Sequence, residues 1–208
     1  MTASSIRKKV RVGIALSGGG GRGLAQVGVL KVLERSGIPI DVIAGTSIGA
    51  VIGGVYACWP DAIELEKRVL AFVCSRYIEN LNLATIRRLG GIPTVGEEAQ
   101  NERGPGLFDR IQTAFRGLYA SHLGLSRRSV LGGKGVQRAL QMVFSNRTFE
   151  ETAVPFGAVA VDLREGCEVI IGSGDLARGV AASAAIPGIF PPVGLSGRLL
   201  CDGGYTSP

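Results

Sequence analysis

Apolar and polar residues follow two different spacings in the first sixty residues, and these spacings predict alternating strands and helices. Residues 11–16 and 39–44 are short apolar runs of the kind that form buried strands. Between them, residues 24–36 carry apolar side chains at the spacing of a helix with one buried face. Residues 48–57 are small and apolar and predict a second helix. The order of these segments predicts a right-handed βαβ unit with two parallel strands.

The second half of the chain shows a different order of apolar segments. Residues 156–163 and 168–172 predict two strands of a hairpin, joined by a turn over residues 164–167. Residues 175–183 predict a short helix with Asp175 as its N-cap, a structural role. Residues 198–201 predict a last strand. The loop before it is fixed by prolines, namely Pro187, Pro191 and Pro192.

Two glycine-containing turns follow the first two predicted strands. Residues 18–23 read GGGGRG, and a loop without side chains lets its backbone N–H groups bind a phosphate or an oxyanion. Residues 45–49 read GTSIG, a G-x-S-x-G pattern that places the Ser47 hydroxyl at a sharp strand-to-helix turn. Because the carboxyl ends of parallel strands lie at one edge of a sheet, we expect the glycine loop and Ser47 to converge.

A third candidate residue, Asp202, follows the last predicted strand and precedes two glycines. An acid at that position is placed to meet Ser47 across the edge of the sheet. A Ser-His-Asp triad would require a histidine, and the sequence contains only His122. His122 lies between the serine and the acid, whereas the α/β-hydrolase order is serine, acid, histidine. The triad therefore fits poorly, and we expect His122 to be a surface residue.

The glycine loop, the serine turn and the D-G-G tripeptide, in this order, resemble the patatin-like phospholipase family. Within the family, the chain is most similar to short bacterial members related to the lipase domain of neuropathy target esterase. The resemblance runs from about Val10 to the last residue and is weaker in the middle; residues 160–163, 172–175 and 182–192 also contribute to it. It implies an α/β fold, a three-layer α/β/α sandwich around a mostly parallel sheet.

The resemblance also implies a function, that of a serine hydrolase acting on the ester bonds of lipids or phospholipids. It assigns Ser47 as nucleophile and Asp202 as its base, without a metal or other cofactor. The implied oxyanion hole consists of Gly18, Gly19, Gly20, Gly21, Arg22 and Gly23. The serine turn contains Gly45, Thr46, Ile48 and Gly49, and the acid motif ends with Gly203 and Gly204.

Two parts of this implied site depend on their surroundings. A carboxylate with a pKa of about 4 is a weak base, so we expect residues 189–191 to bury Asp202 and raise its pKa. We expect the proline-containing loop to form a wall of the acyl pocket. Arg22 has two interpretations: it orients the loop or a phosphate-bearing substrate, or it is a solvent-facing arginine at a helix start.

Length and composition predict how the chain is organised. With 208 residues, 46% of them hydrophobic, the sequence predicts one domain over residues 10–208 after a tail at 1–9. We expect no signal peptide, and we interpret the uncharged stretch 42–59 as a buried strand–helix unit rather than a membrane span. The family domain continues beyond its D-G-G motif with a further strand and helix, so we expect this domain to be incomplete at its C-terminus.

The cysteines indicate the compartment of the protein. Four cysteines without C-x-x-C spacing predict buried, reduced thiols of a cytoplasmic protein: Cys58, Cys74, Cys167 and Cys201.

The basic charge of the chain is concentrated in its middle. Residues 75–139 contain ten Lys and Arg against five acids, a net charge of +5, while the whole chain has +6. Apolar residues at helical spacing accompany this charge. The region is either a basic helical lid that rests on anionic lipid at the inner membrane surface, or a solvated helix face. It contains no nucleic-acid-binding motif, and we expect no nucleic-acid partner.

Two alternative functions remain at this point. Residues 18–23 also match G-x-G-x-x-G, a dinucleotide-binding pattern, with Asp41 about 20 residues beyond it. In that fold the acid ends the second strand, whereas Asp41 precedes it here, and Ser47 and Asp202 would have no role. The other alternative is a patatin-like module that binds lipid or regulates without catalysis. The sequence leaves the head group, acyl position, chain length and oligomeric state open.

Overall fold

The computed structural model describes residues 11–74 and 133–207, with side chains from residue 135 onward in the second range. The N-terminal tail, most of the proposed lid and His122 lie outside these residues. The division of the chain into a tail and a domain therefore stays a prediction.

The described residues form strands and helices at the places that the sequence pattern indicates. The strands are β1 (Gly13–Leu16), β2 (Val42–Thr46), β3 (Phe156–Asp162), β4 (Glu168–Ile171), β5 (Val193–Leu195) and β6 (Arg198–Asp202). The helices are α1 (Ala25–Arg35), α2 (Ile48–Cys58), α3 (Ala62–Val73), α4 (Gly133–Phe144) and α5 (Leu176–Ser183). Short 3₁₀ turns cover Gly20–Leu24, Phe149–Glu151 and Gly203–Tyr205. The elements α3 and β5 are additional to the prediction, and so is α4, which begins inside the proposed lid region and ends five residues beyond it.

The six strands form one mixed sheet. β1 pairs with β2 in parallel, and β2 pairs with β3 in parallel. The pairings β3–β4, β3–β6 and β5–β6 are antiparallel. The α/β fold is therefore confirmed, whereas the expectation of a mostly parallel sheet is corrected. The reason is that β3–β4 and β5–β6 are hairpins, which join antiparallel strands, and that the second hairpin adds β6 to β3 in the antiparallel direction.

The pairing register brings β2 and β6 onto the same edge of β3. β2 pairs with residues 156–159 of β3, and β6 pairs with residues 160–162. β4 pairs with residues 158–161, so it overlaps both partners and must lie on the opposite edge. β2 and β6 therefore approach each other end to end, and their carboxyl ends meet between Val159 and Ala160.

The helices that contact the sheet pack through apolar side chains. α2 packs on β2 and β3, α5 packs on β3, β5 and β6, and α4 joins α5 to α3. The largest fully buried side chains of this core include Leu30, Ile52, Leu65, Leu140 and Phe144.

The uncharged stretch around residues 42–59 divides into β2 and α2, as the sequence predicts. α2 has 11 residues, and all but its first are buried in the protein core. Among the described residues, no helix has the length and apolar composition that crossing a membrane requires.

The expectation of four buried cysteines is only half right. Cys58 and Cys201 are buried, and Cys74 and Cys167 are exposed; all four are free thiols. Cys74 is exposed because it caps the end of α3, and Cys167 because it lies in the turn of the β3–β4 hairpin.

Candidate active site

Ser47 occupies a strained backbone conformation between β2 and α2. Its φ is 54° and its ψ is −120°, a region that residues other than glycine rarely adopt and that costs about 1–3 kcal/mol. Its carbonyl accepts hydrogen bonds from the N–H groups of Ala50 (3.0 Å) and Val51 (3.2 Å) at the start of the helix. Its own N–H donates to the hydroxyl of Ser183, at 3.0 Å. The turn is therefore held on both sides of the serine.

The glycines on either side of Ser47 allow the helix to approach the strands closely. A Cβ at Gly49 would lie 2.2 Å from the carbonyl oxygen of Leu16 in β1. A Cβ at Gly45 would lie 2.4 Å from the carbonyl oxygen of Gly49. Both obstacles are backbone atoms, so no side-chain rotation would relieve the overlap. The predicted close contact of helix and strand is present.

The glycine loop lies against the serine turn. A Cβ on Gly18 would be 3.5 Å from the Cβ of Ser47, which places the two segments side by side. Gly19 and Gly20 have φ values of 138° and 55°, and the 3₁₀ turn begins at Gly20. A Cβ on Gly20 or Gly21 would meet no atom within 4 Å, so space is open there. N–H groups at the start of a helical turn have no partner within it and remain available to an acceptor.

Other residues of the loop have structural contacts. Gly23 faces the side chain of Ile48, where a Cβ would lie 2.2 Å from the Ile48 Cγ2. Gln26 donates from Nε2 to the carbonyl of Ser17 at 2.8 Å and so ties α1 to the start of the loop. Arg22 has an exposed side chain. Both interpretations of Arg22 are compatible with this position.

Asp202 reaches the serine turn through the sheet. It pairs with Ala160 of β3, and the neighbouring residue Val159 pairs with Thr46. Thr46 and Asp202 therefore pair with two consecutive residues of β3, Val159 and Ala160. The chain turns at Gly203, where a Cβ would lie 2.4 Å from the Val159 carbonyl oxygen. Because Gly203 has no side chain, the chain can turn close to Val159, and β6 ends beside the end of β2.

The carboxyl group of Asp202 is buried and hydrogen-bonded. The residue is 5% exposed, and its Oδ1 accepts the N–H of Gly204 at 2.8 Å. Burial is the main influence and raises the pKa of Asp202. Hydrogen bonds from the Gly204 N–H and from the Ser47 side chain act in the opposite direction. The Ser47 side chain thus lies beside a carboxylate that burial has made more basic.

Two polar side chains around the site make contacts that the sequence prediction does not assign to them. Ser183, at the end of α5, bonds the Ser47 N–H. Thr46 is buried, and its hydroxyl donates to the carbonyl of Ser207 at 3.0 Å, which ties the turn after Asp202 to the serine turn. Ser183 lies in the segment 182–192 that contributes to the family resemblance, but the small residues A-S-A-A around it predict helix packing more readily than a polar contact.

Asp41 has a structural role at the other end of β2. Its carboxylate accepts the N–H of Val12, and its own N–H donates to the Val12 carbonyl, both at 2.8 Å. The side chain is therefore engaged at the amino end of the strand, while the glycine loop lies at the carboxyl end of β1. This position removes the acidic residue that dinucleotide binding would require beside the glycine loop.

The fold and the site together define a class of protein. It is an α/β protein with a strained serine at a strand-to-helix turn, beside a buried aspartate and flanked by a glycine loop. The family model described as patatin-like phospholipase matches residues 14–208. The chain belongs to the patatin-like phospholipase family, which confirms the resemblance drawn from its motifs.

Individual relatives agree with this assignment. Lysophospholipase NTE1 of Kluyveromyces lactis is 30% identical over 195 residues, which are 94% of this chain and 11% of that protein. An uncharacterized NTE family protein of Mycobacterium tuberculosis is 32% identical over 198 residues, 95% of this chain and 44% of that protein. The crystal structure of VipD from Legionella pneumophila superposes with a TM-score of 0.51 at 16% identity, covering 93% of this chain and 46% of that one. The chain thus spans less than half the length of each of these proteins.

Proposed function

We propose that this chain is a serine lipid acyl hydrolase of the phospholipase A or lysophospholipase type. The observation that carries the proposal is that the sheet brings Ser47 beside the buried Asp202 carboxyl group, whose pKa responds to the Ser47 side chain. A serine hydroxyl becomes a nucleophile when an adjacent base accepts its proton. The raised pKa of Asp202 supports this role because it makes the carboxylate a stronger base than an exposed aspartate.

In the proposed first step, the Ser47 oxygen attacks the carbonyl carbon of an ester while Asp202 accepts the serine proton. The negative charge that develops on the carbonyl oxygen is stabilised by N–H groups of the glycine loop, each worth about 3 kcal/mol in oxyanion holes. The carbon–oxygen bond to the alcohol then breaks, and Asp202 returns the proton to the leaving alcohol. The product of this half-reaction is an acyl-serine enzyme.

The second half-reaction uses water in place of the alcohol. Asp202 accepts a proton from the water, whose oxygen attacks the acyl-serine carbonyl. The bond to the Ser47 oxygen breaks, the proton returns to Ser47, and a free fatty acid leaves. Two residues therefore suffice for proton transfer in both directions, and the glycine loop provides the same stabilisation twice.

The proposed substrate is a lipid ester, for two reasons. The family is described as patatin-like phospholipase, and one similar protein is named a lysophospholipase. Contact between the basic region 75–139 and an anionic membrane surface remains a prediction, as does a location in the cytoplasm or at the inner face of the membrane.

A substrate panel with four variants tests the proposal. The panel contains fluorogenic esters of increasing chain length and defined phospholipids and lysophospholipids. We expect Ser47→Ala and Asp202→Asn each to lower kcat by at least about 10³-fold, as the loss of a catalytic group does in other serine hydrolases. The matched controls Ser36→Ala and Asp175→Asn change an exposed serine and a helix N-cap, and we expect both to retain activity.

Labelling with a fluorophosphonate probe checks the nucleophile directly. The wild-type chain should carry the probe on Ser47, and the Ser47→Ala variant should not react. Retained turnover in either site variant would contradict the proposed roles. Binding of phospholipid vesicles without turnover or labelling would instead support the alternative of a non-catalytic lipid-binding module.

A further inference from the structure

We propose that Ser183 is a positioning residue for the nucleophile, and that the segment from Ser183 to Ala185 sets the spacing between Ser47 and Asp202. The inference rests on the proposed function and adds to it residues outside the three sequence motifs. It follows from the hydrogen bonds that this segment makes to both members of the pair.

Ser183 is fully buried and both of its hydrogen-bonding functions are in use. Its Oγ accepts the N–H of Ser47 at 3.0 Å and donates to the carbonyl of Val159 at 2.6 Å. A serine hydroxyl has one proton to donate, so these two contacts fix its orientation. The side chain thus joins the serine turn to β3 at the residue that pairs with Thr46.

The contact matters because the conformation of Ser47 is unfavourable in isolation. Its positive φ persists only where surrounding contacts determine it. The Ser183 hydroxyl supplies one such contact, and without it the Ser47 N–H would lack this partner at a part-buried position. A turn released in this way can move the Ser47 oxygen away from Asp202 and from the glycine loop.

The same segment also holds the acid. The carbonyl of Ala185 accepts the N–H of Asp202 at 3.0 Å. The segment is itself fixed to α5, since Ala184 donates to Val180 at 3.0 Å and Ala185 donates to Ala182 at 3.2 Å. One end of one helix therefore sets the backbone positions of both the nucleophile and the base.

A consequence concerns the oxyanion hole. The N–H of Ser47 is already donated to Ser183. The stabilising N–H groups must therefore come from other residues, and the glycine loop beside Ser47 is the adjacent source.

The first experiment compares Ser183→Ala with Val180→Ala. The control changes a fully buried side chain in the same helix and leaves the hydrogen bonds of Ser183 to Ser47 and Val159, here called the clamp, in place. For Ser183→Ala we expect kcat on a soluble ester and the fluorophosphonate labelling rate to fall about 100-fold, with KM little changed, as small misplacements of catalytic groups do. We also expect the acid limb of the pH–rate profile to move to higher pH. The reason is that the Ser47 hydrogen bond, which lowers the pKa of Asp202, would be weakened. Val180→Ala should lose stability without either change.

A second pair of variants keeps the test decisive if Ser183→Ala does not fold. Ser183→Thr and Ser183→Val have nearly the same shape and differ by the hydroxyl group. Faster labelling in the threonine variant than in the valine variant would support the positioning role. Equal rates in this pair, or a Ser183→Ala variant with the wild-type labelling rate and pH profile, would overturn it.

Hydrogen exchange of the Ser47 amide separates this inference from the proposed function. A wild-type chain with neither turnover nor labelling would overturn the hydrolase proposal and the catalytic part of this one. Faster exchange of the Ser47 amide in Ser183→Ala than in Val180→Ala would still support the clamp, and unchanged exchange would refute it.

Discussion

At the scale of single residues, the site combines a strained serine with a buried acid. Both features are unfavourable for stability: the positive φ of Ser47 and the burial of the Asp202 carboxylate. The sequence motifs predict the identity of these residues because G-x-S-x-G and D-G-G are local patterns. They do not predict Ser183, whose contacts join residues more than a hundred positions apart. A single polar residue in a small-residue helix carries no periodic signal of such a contact.

The first prediction at this scale is that Asp202→Asn abolishes activity and yet stabilises the fold at neutral pH. The pKa of Asp202 is raised in the folded chain, so the folded state holds its proton more tightly than the unfolded state does. The wild-type chain therefore loses stability as the pH rises from the unfolded pKa of about 4 through the folded pKa. Asparagine does not titrate, and its amide oxygen can still accept the Gly204 N–H.

Urea unfolding of both proteins from acid to neutral pH measures this effect. The difference in the free energy of unfolding should grow in favour of Asp202→Asn across the window and then become constant. A difference that shrinks as the pH rises would show that deprotonation of Asp202 is favourable in the fold, contrary to the raised pKa.

At the scale of elements, local patterns predict which segments form and fail to predict how some of them pair. The apolar runs and the helical spacing correctly indicate β1, α1, β2 and α2, because each is decided by its own residues. The direction of β6 is different, since it depends on a hairpin with β5, a strand of only three residues. The sequence places Asp202 at a strand end. Only the shared edge of β3 shows that this end meets the end of β2.

The close packing of α2 gives the prediction at this scale. We expect Gly49→Ala to lower the free energy of unfolding by at least about 1–3 kcal/mol, since the new Cβ would overlap the Leu16 carbonyl and force α2 away from β1. The displacement would also move Ser47, so fluorophosphonate labelling should slow markedly.

Gly28→Ala is the matched control, because Gly28 lies within α1 and a Cβ there would meet no atom within 4 Å. It should stabilise the chain by up to about 1 kcal/mol through helix propensity alone. Chemical denaturation of both variants checks the pair. Similar stabilities for Gly49→Ala and the wild type would contradict the close approach of helix and strand.

At the scale of the whole molecule, the site is assembled where the two halves of the chain meet. β2 and the glycine loop come from the first half, and β3, α5 and β6 from the second. The residues that hold Ser47 and Asp202 together also belong to the second half. Integrity of the site therefore requires the complete sheet rather than one local motif, and a probe of its opening should report on the whole fold.

The cysteines provide such a probe. Burial raises the pKa of the Cys58 thiol to about 11 and that of Cys201 to about 12, so both stay protonated and shielded in the native state. Cys74 and Cys167 are exposed. At mildly alkaline pH we expect an aromatic disulfide reagent to modify two thiols rapidly and the other two only in denaturant.

The slow phase should follow opening of the core, because Cys58 ends α2 and Cys201 precedes Asp202 in β6. Serine substitution of Cys74 or Cys167 should each remove one rapid thiol, while the same change at Cys201 should remove a slow one. Rapid modification of Cys201 in the native chain would mean that β6 detaches from β3, and Asp202 could then not stay beside Ser47.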